Sequence, residues 1–328
     1  MFYPSLLRKI YNQSEFQGNL KRKNYFEGWY LKHVSADLNH SVSFIPGISL
    51  SEDSHSFIQV INGLTSESFY IRYNLKDFSS EPGKFLVRIG ESFFSDQFSE
   101  IKILSNNINI SGKIEYKNNI SYPVKLINPG IMGWYSFVPF MECNHGVVSI
   151  NHRLSGNLKL NGQTIDFSDG KGYIEKDWGT SFPESWIWVQ CNHFNDEEVS
   201  FMFSVAKIPW RGKYFIGFLG FLQTMDHFYR FATYNHSRII HLEKNGNRFE
   251  IAILNKDFTL NVDIRPNQFS DLKAPRLGIM DRYMKESVDS NLEITMKDRK
   301  GKTILELKGR RAGLEITGDI DTLKEVIK

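Results

Sequence analysis

The densest chemistry in the sequence lies between Gly172 and Phe194, GYIEKDWGTSFPESWIWVQCNHF. Tyr173, Glu175 and Asp177 alternate there, and alternate residues of a strand share a face. Carboxylates held close together push each other's proton affinities apart, and apolar surroundings favour the protonated form. A neutral carboxylic acid beside aromatic rings can protonate a weakly basic substrate. The same acid can also cap the turn at Gly179 or pair with Lys176. Farther on, Trp186, Trp188, Gln190, Asn192 and Phe194 are expected on one face of a strand, with Ile187, Val189, Cys191 and His193 on the other. Two indoles and two neutral amides suit the wall of a ligand cavity. Indoles packed in a core, with both amides bonded to backbone, would give the same pattern.

Two further clusters repeat these ingredients. Tyr25 to Lys32 (YFEGWYLK) holds Glu27, Trp29 and Tyr30, and Gly133 to His145 (GWYSFVPFMECNH) holds Trp134, Glu142 and His145. Five of the six Trp fall in the three clusters, and only Trp210 lies outside. No glycine-rich segment has phosphate-loop or dinucleotide spacing, and no serine-hydrolase elbow is present. The two cysteines, Cys143 and Cys191, make neither a disulfide framework nor a zinc pattern. Neither a metal nor an organic cofactor is expected.

These side chains need a scaffold, and composition points to sheet. The 328 residues include 26 Phe, 14 Tyr and 6 Trp but only 6 Ala, the best helix former. Strand-like runs recur every ten to fifteen residues or so, separated by turn signals such as Asn161-Gly162, Asp169-Gly170 and Asn245-Gly246. Helix is expected only around Leu6 to Tyr11 and Asp321 to Ile327. Shifting the chain by 157 residues superposes Glu27, Trp29, Val42, Ser43 and Phe44 on Glu184, Trp186, Val199, Ser200 and Phe201 without a gap. The expected architecture is therefore all-β, in two similar antiparallel halves over residues 1–170 and 171–328.

Lys+Arg 40 against Asp+Glu 37 gives a net charge of +3, with no nucleic-acid footprint. Tyr214 to Leu222 is the longest uncharged apolar stretch, far short of a membrane-spanning helix. Met1 to Tyr11 lacks the pattern of an export signal, and the free cysteines fit a reducing compartment. A cytoplasmic protein is expected.

The chain resembles the tocopherol cyclase family. The resemblance is carried by Phe26-Glu27-Gly28-Trp29-Tyr30, Gly133-Trp134 with Val138-Pro139-Phe140, and Tyr173-x-Glu175-Lys176-x-Trp178-Gly179. It continues through Phe182-Pro183, Trp186-x-Trp188-Val189-Gln190-Cys191-Asn192, Leu272-Lys273-Ala274-Pro275 and Ala312-Gly313-Leu314-Glu315. The family is distantly similar to carotenoid hydratases and implies paired lipocalin-like β domains. It also implies cofactor-free cyclisation of a prenylated hydroquinone to a chromanol: an acid protonates the trisubstituted alkene, and the phenol oxygen closes the ring on the tertiary cation. By match to a Tyr-x-Asp motif before Trp-Gly in the hydratases, the acid falls at Glu175 with Tyr173 beside it. Asp177 and Glu27 complete the candidate catalytic set. Trp29, Trp186 and Trp188 are candidates to face the cation, and Gln190 and Asn192 to hold the quinol, with Tyr30, Trp134, Trp178 and His145 as further substrate contacts. The chain departs from the plant cyclases in carrying Cys143-Asn144-His145 where they have Pro-His-Trp, and Asp177 where Asn is usual. A hydratase using water as nucleophile, or a carrier binding a hydrophobic molecule without chemistry, would use the same cavity. The partner implied is a prenylated aromatic or isoprenoid molecule, and such a lipid-soluble substrate implies transient contact with a membrane surface, through Trp210 and Tyr214 to Leu222.

Overall fold

The structure, a computed structural model, describes residues 4–196, 198–210 and 212–327. It is all-β apart from a helix α1 (Pro4–Tyr11), a short α2 (Ile320–Leu323) and a few single 3-10 turns. Two compact units form: Met1–Phe182 with Leu272–Tyr283, and Pro183–Asp271 with Met284–Lys328. The division falls after Phe182 and not at residue 170, because Lys171–Gly179 is hydrogen-bonded on both edges inside the first unit.

The first sheet begins with β1 (Tyr25–Val34), β2 (Ser41–Leu50), β3 (His55–Asn62) and β4 (Glu67–Asn74). It continues with β5 (Phe78–Ser80), β6 (Leu86–Ile89), β7 (Ser92–Ser95) and β8 (Phe98–Leu104). β9 (Asn109–Ile120), β10 (Cys143–Leu160), β11 (Gln163–Asp166) and β12 (Lys171–Gly179) complete it. The order is β4-β3-β2-β1-β12-β10-β9-β8-β7-β6-β5, with β11 on β10, and β3 and β6 from opposite ends of that order also touch. The sheet thus curls around one core. Strands far from the site alternate as a half-buried sheet should: in β8, Ser99, Ile101 and Ile103 are buried while Glu100, Lys102 and Leu104 are exposed. β1, β2 and β12 are instead buried on nearly every residue. Polar side chains on them are removed from water whichever face they take.

The second sheet is built from β13 (Trp186–Cys191), β14 (Ser200–Trp210), β15 (Lys213–Gln223), β16 (Phe228–Ala232) and β17 (Arg238–Asn245). β18 (Arg248–Leu254), β19 (Phe258–Pro266), β20 (Ser270–Arg276), β21 (Ile279–Asp298) and β22 (Thr303–Thr317) follow. The order is β16-β15-β14-β13-β22-β21-β19-β18-β17, with β20 on β21. Both sheets therefore open with a four-strand meander whose first strand pairs with the last strand of its own sheet. This is the repeat seen in the sequence, with one difference of register. Leu31 pairs with Phe44, but Phe201 pairs with Cys191, three positions beyond Trp188, the residue matched to Leu31. An odd offset exchanges the two faces of a strand. Trp29 consequently sits in the core of the first unit, whereas Ile187, Val189 and Cys191 fill the core of the second and Trp186 and Trp188 take the other face. Phe194 leaves the indole face too. β13 ends at Cys191, the alternation stops there, and Phe194 joins the core.

The first unit also encloses two imidazoles. His33 and His152 both lie opposite Gly172 in register, and a Cβ on Gly172 would stand 2.1 Å from His152 Nε2. His33 Nε2 is 2.7 Å from the Tyr116 hydroxyl, and His152 Nδ1 is 2.8 Å from Ser149 Oγ. Burial pushes both imidazoles down, His33 to about 4.

Candidate active site

On β12, Tyr173, Glu175 and Asp177 share one face, as the alternation requires, and Gly172, Ile174, Lys176 and Trp178 share the other. The flanking strands bring residues to each face by register. Tyr30 of β1 lies opposite Glu175, and Val147 and His145 of β10 lie opposite Glu175 and Asp177. The result is a line of four functional groups. The Tyr173 hydroxyl donates to Glu175 Oε2 at 2.6 Å. His145 Nε2 lies 3.5 Å from that same oxygen, and His145 Nδ1 lies 2.9 Å from Asp177 Oδ1. The Tyr30 hydroxyl accepts from Ser43 Oγ at 3.2 Å. The His145 backbone N–H points at Met132 Sδ, and Cys143 Sγ is 3.9 Å from Asp177 Oδ1.

Exposure grades along this line. Tyr173 is fully buried and the Glu175 side chain is 5% exposed, but those of His145 and Asp177 are 15% and 25% exposed. The protected end is therefore the Tyr173–Glu175 pair, and the His145–Asp177 end lies nearer to solvent. Burial opposes charge on His145, but Asp177 and then Glu175 outweigh it and push the imidazole up to about 9. At neutral pH His145 is an imidazolium bridging two carboxylates. Burial, then the Glu175 charge, push the Tyr173 phenol well above its usual range, so it stays a neutral donor. His145, Glu175 and Asp177 each also offer a ligand atom within 4.8 Å of the others, a donor set able to hold a divalent cation.

Glu27, Trp29 and Trp178 lie on the opposite face of the sheet from Glu175. Glu27 is fully buried, pairs with Lys176 at 2.5 Å, and accepts from the Tyr25 hydroxyl and the backbone N–H groups of Gln17 and Gly18. Lys176 in turn donates to the carbonyls of Gln13 and Glu15. Burial brings the ammonium down to about 8. This pair ties the segment 13–18 onto the barrel. Trp29 stacks on Phe85, donates its indole N–H to Ser14 O, and receives the Lys176 ammonium on its face, as Trp178 does. These indoles are occupied by a resident cation. Alternation within β1 separates Glu27 and Trp29 from Tyr30, but only the pairing register tells which of them shares a face with Glu175.

Trp134 lies in a 3-10 turn, Gly133–Phe137, half exposed and stacked on Tyr135. Trp186, Trp188, Gln190 and Asn192 belong to the second unit, all buried, with the Trp186 N–H donating to Glu315 at 2.8 Å and the Trp188 ring over Gly313. Glu315 lies opposite Glu286, which is fully buried. Sequence reasoning passed over both acids. An acid between Met284 and Val288 in strand alternation is the signal that marks Glu286, and Glu315 stands inside a family motif. Strand β15, with Tyr214 to Leu222, is paired on both sides by β14 and β16, and Tyr214 is its one large apolar residue that is exposed. No helix among the described residues is long and apolar enough to cross a membrane.

A chloroplastic tocopherol cyclase of Zea mays is 34% identical over 62 residues, 19% of this chain and 13% of that protein's length. Among solved structures, CghA is similar with a TM-score of 0.56 at 9% identity, covering 90% of this chain and 88% of that one. Kievitone hydratase from Nectria haematococca is similar with a TM-score of 0.51 at 11% identity, covering 93% and 92%. At such identities the likeness is one of fold. The profile of the family described as tocopherol cyclase-like matches residues 115–318, more than half of the sequence and including β12, β13 and His145. The chain belongs to the tocopherol cyclase-like family.

Proposed function

We propose that the chain catalyses proton-initiated ring closure of a prenylated hydroquinone, with Glu175 as the acid. The observation that carries this reading is the line Tyr173–Glu175–His145–Asp177, which loads a proton at the edge of a buried face. Family membership supports it. Glu175, protonated from the His145 imidazolium, delivers a proton to the less substituted carbon of the alkene, leaving a tertiary carbocation. The phenol oxygen attacks that carbon, and the proton it loses returns to the carboxylate. One proton enters and one leaves, so substrate and product have the same mass. Tyr173 orients the carboxyl through its hydroxyl, and the Tyr30 and Tyr173 rings on the same face supply aromatic surface for the cation. Asp177 positions His145 for that proton transfer through its contact with Nδ1.

Hydration is the second reading, favoured by the likeness of fold to kievitone hydratase. The same acid would act with water as nucleophile, and the product would gain one water. Incubation with a set of prenylated hydroquinones, followed by chromatography and mass detection, separates the two. Glu175→Gln should lower turnover by about a hundredfold or more while leaving binding intact, read by quenching of tryptophan fluorescence. Equal turnover by wild type and variant would remove Glu175 from the mechanism.

A further inference from the structure

The face of the sheet that carries Glu175 also has a basic end, which the proton transfer leaves unused. Lys32 of β1 lies directly opposite Tyr173, and Lys171 precedes Tyr173 by two residues on β12. Opposite residues of an antiparallel pair share a face, and so do alternate residues of one strand. Both lysines therefore stand on the Glu175 side. Arg153 of β10 lies opposite Lys171 on the other edge of β12 and is partly buried. Lys32 and Lys171 are only 1% and 7% exposed. Lysine is almost never buried so far unless acceptors hold its ammonium. Each of the two has a contact within the fold. An ammonium carries three donors, so one resident contact leaves capacity for a ligand oxygen.

Charge is thus sorted along the face. Asp177, His145 and Glu175 occupy one end and Lys32 and Lys171 the other. The Tyr173 hydroxyl stands between, donating to Glu175 Oε2 at 2.6 Å. At about 3.3 Å per residue, the level of Lys32 is about 7 Å along the strand from that of Glu175. That is comparable to the span from the alkene of a prenyl group to the far substituents of the ring that bears it. The hydroxyls of a hydroquinone stay neutral at neutral pH and offer two ammonium groups no charge to meet. A ring carboxylate is ionised there and accepts charge-assisted hydrogen bonds, roughly twice as strong as neutral ones.

We infer that Lys32 and Lys171 form a subsite for a carboxylate on the aromatic ring, so that the substrate class is prenylated hydroquinones bearing a ring carboxylate. The inference rests on the proposal that this face takes a prenylated aromatic ring, and not on which acid delivers the proton.

The probes are a geranylated hydroquinone with a ring carboxylate and the methyl ester of the same molecule. Both have the side chain hydrogenated, so that binding is read without proton transfer. Affinities are measured at neutral pH by quenching of tryptophan fluorescence in the full chain. Wild type should bind the acid about tenfold or more tightly than the ester. Lys32→Gln and Lys171→Gln should each lower that ratio about fivefold or more while leaving the ester's affinity unchanged. Lysines that serve the fold alone would weaken acid and ester together and leave the ratio where it was. Equal affinities in wild type, or variants that keep the wild-type ratio, overturn the inference. Where one variant fails to fold, the other variant and the wild-type ratio decide. Turnover of neutral prenylated hydroquinones without preference for the acid rejects the subsite and keeps the proposed reaction. Preference for the acid without turnover of any prenylated hydroquinone does the reverse.

Discussion

Replacing His145 by Gln tests the electrostatics of the site without presuming any substrate. In the folded chain the imidazole is pushed from 6.5 up to about 9 by Asp177 at 2.9 Å and Glu175 at 3.5 Å, against the opposing effect of burial. A tenfold change in proton affinity is about 1.4 kcal/mol, so the rise from 6.5 to 9 corresponds to about 3 kcal/mol of stability. The sign follows from which state binds the proton more tightly. The folded state does, so the contribution is complete below pH 6.5 and is lost as pH rises through 9. Gln can keep a hydrogen bond to Asp177 but carries no charge. Urea unfolding at intervals from pH 6 to pH 10 should therefore show wild type losing about 3 kcal/mol relative to His145→Gln. Lys176, lowered to about 8, contributes with the opposite sign in both proteins and cancels in the difference. Asp177→Asn should move the loss to lower pH by removing the nearer carboxylate. Parallel pH profiles for wild type and His145→Gln would refute the bridging imidazolium and with it the proton supply proposed for Glu175.

The remaining expectations concern the structural side of the same sheet. Lys176→Met or Glu27→Gln should each cost about 3–5 kcal/mol, since either leaves a buried group without its partner. The double substitution should cost less than the sum of the two, measured by urea denaturation. Gly172→Ala would force its Cβ against the His152 imidazole, which is held by Ser149 and lies tilted against the Tyr116 ring, and should cost about 1–3 kcal/mol by the same measurement.

The sequence was most legible where one strand decides the matter. Aromatic and β-branched runs with turn signals identified an all-β chain, and a gapless self-match marked two related halves. Alternation correctly set Tyr173, Glu175 and Asp177 on one face of β12. What it does not contain is the neighbour of that strand. Glu27 and Trp29 carry the same letters as a cation site, but the pairing of Trp29 with Lys176 and of Glu27 with Trp178 takes them to the core side. Because β1 and β12 are buried on both faces, no contrast of polar and apolar residues revealed which face was which. His145 lies beyond a long irregular connection and reaches Asp177 only through the register of β10, so their contact was not readable from spacing. Phe194 was misplaced for a simpler reason: alternation was extended past the end of a strand.

Glu27-x-Trp29 and Glu184-x-Trp186 are identical in letters and spacing, yet they have different occupations. In the first copy the indole is insulation around a captive ammonium and the acid is that ammonium's counter-ion. In the second the indole donates to Glu315, and Glu184 reaches into water toward Lys207. The motif recurs, but the offset at which its strand meets the next one assigns its side of the wall. Likeness of letters and equivalence of place therefore part company inside a single chain. A residue-by-residue transfer between the halves, or between relatives whose first hairpins differ by one residue, would carry names across to positions that look the other way.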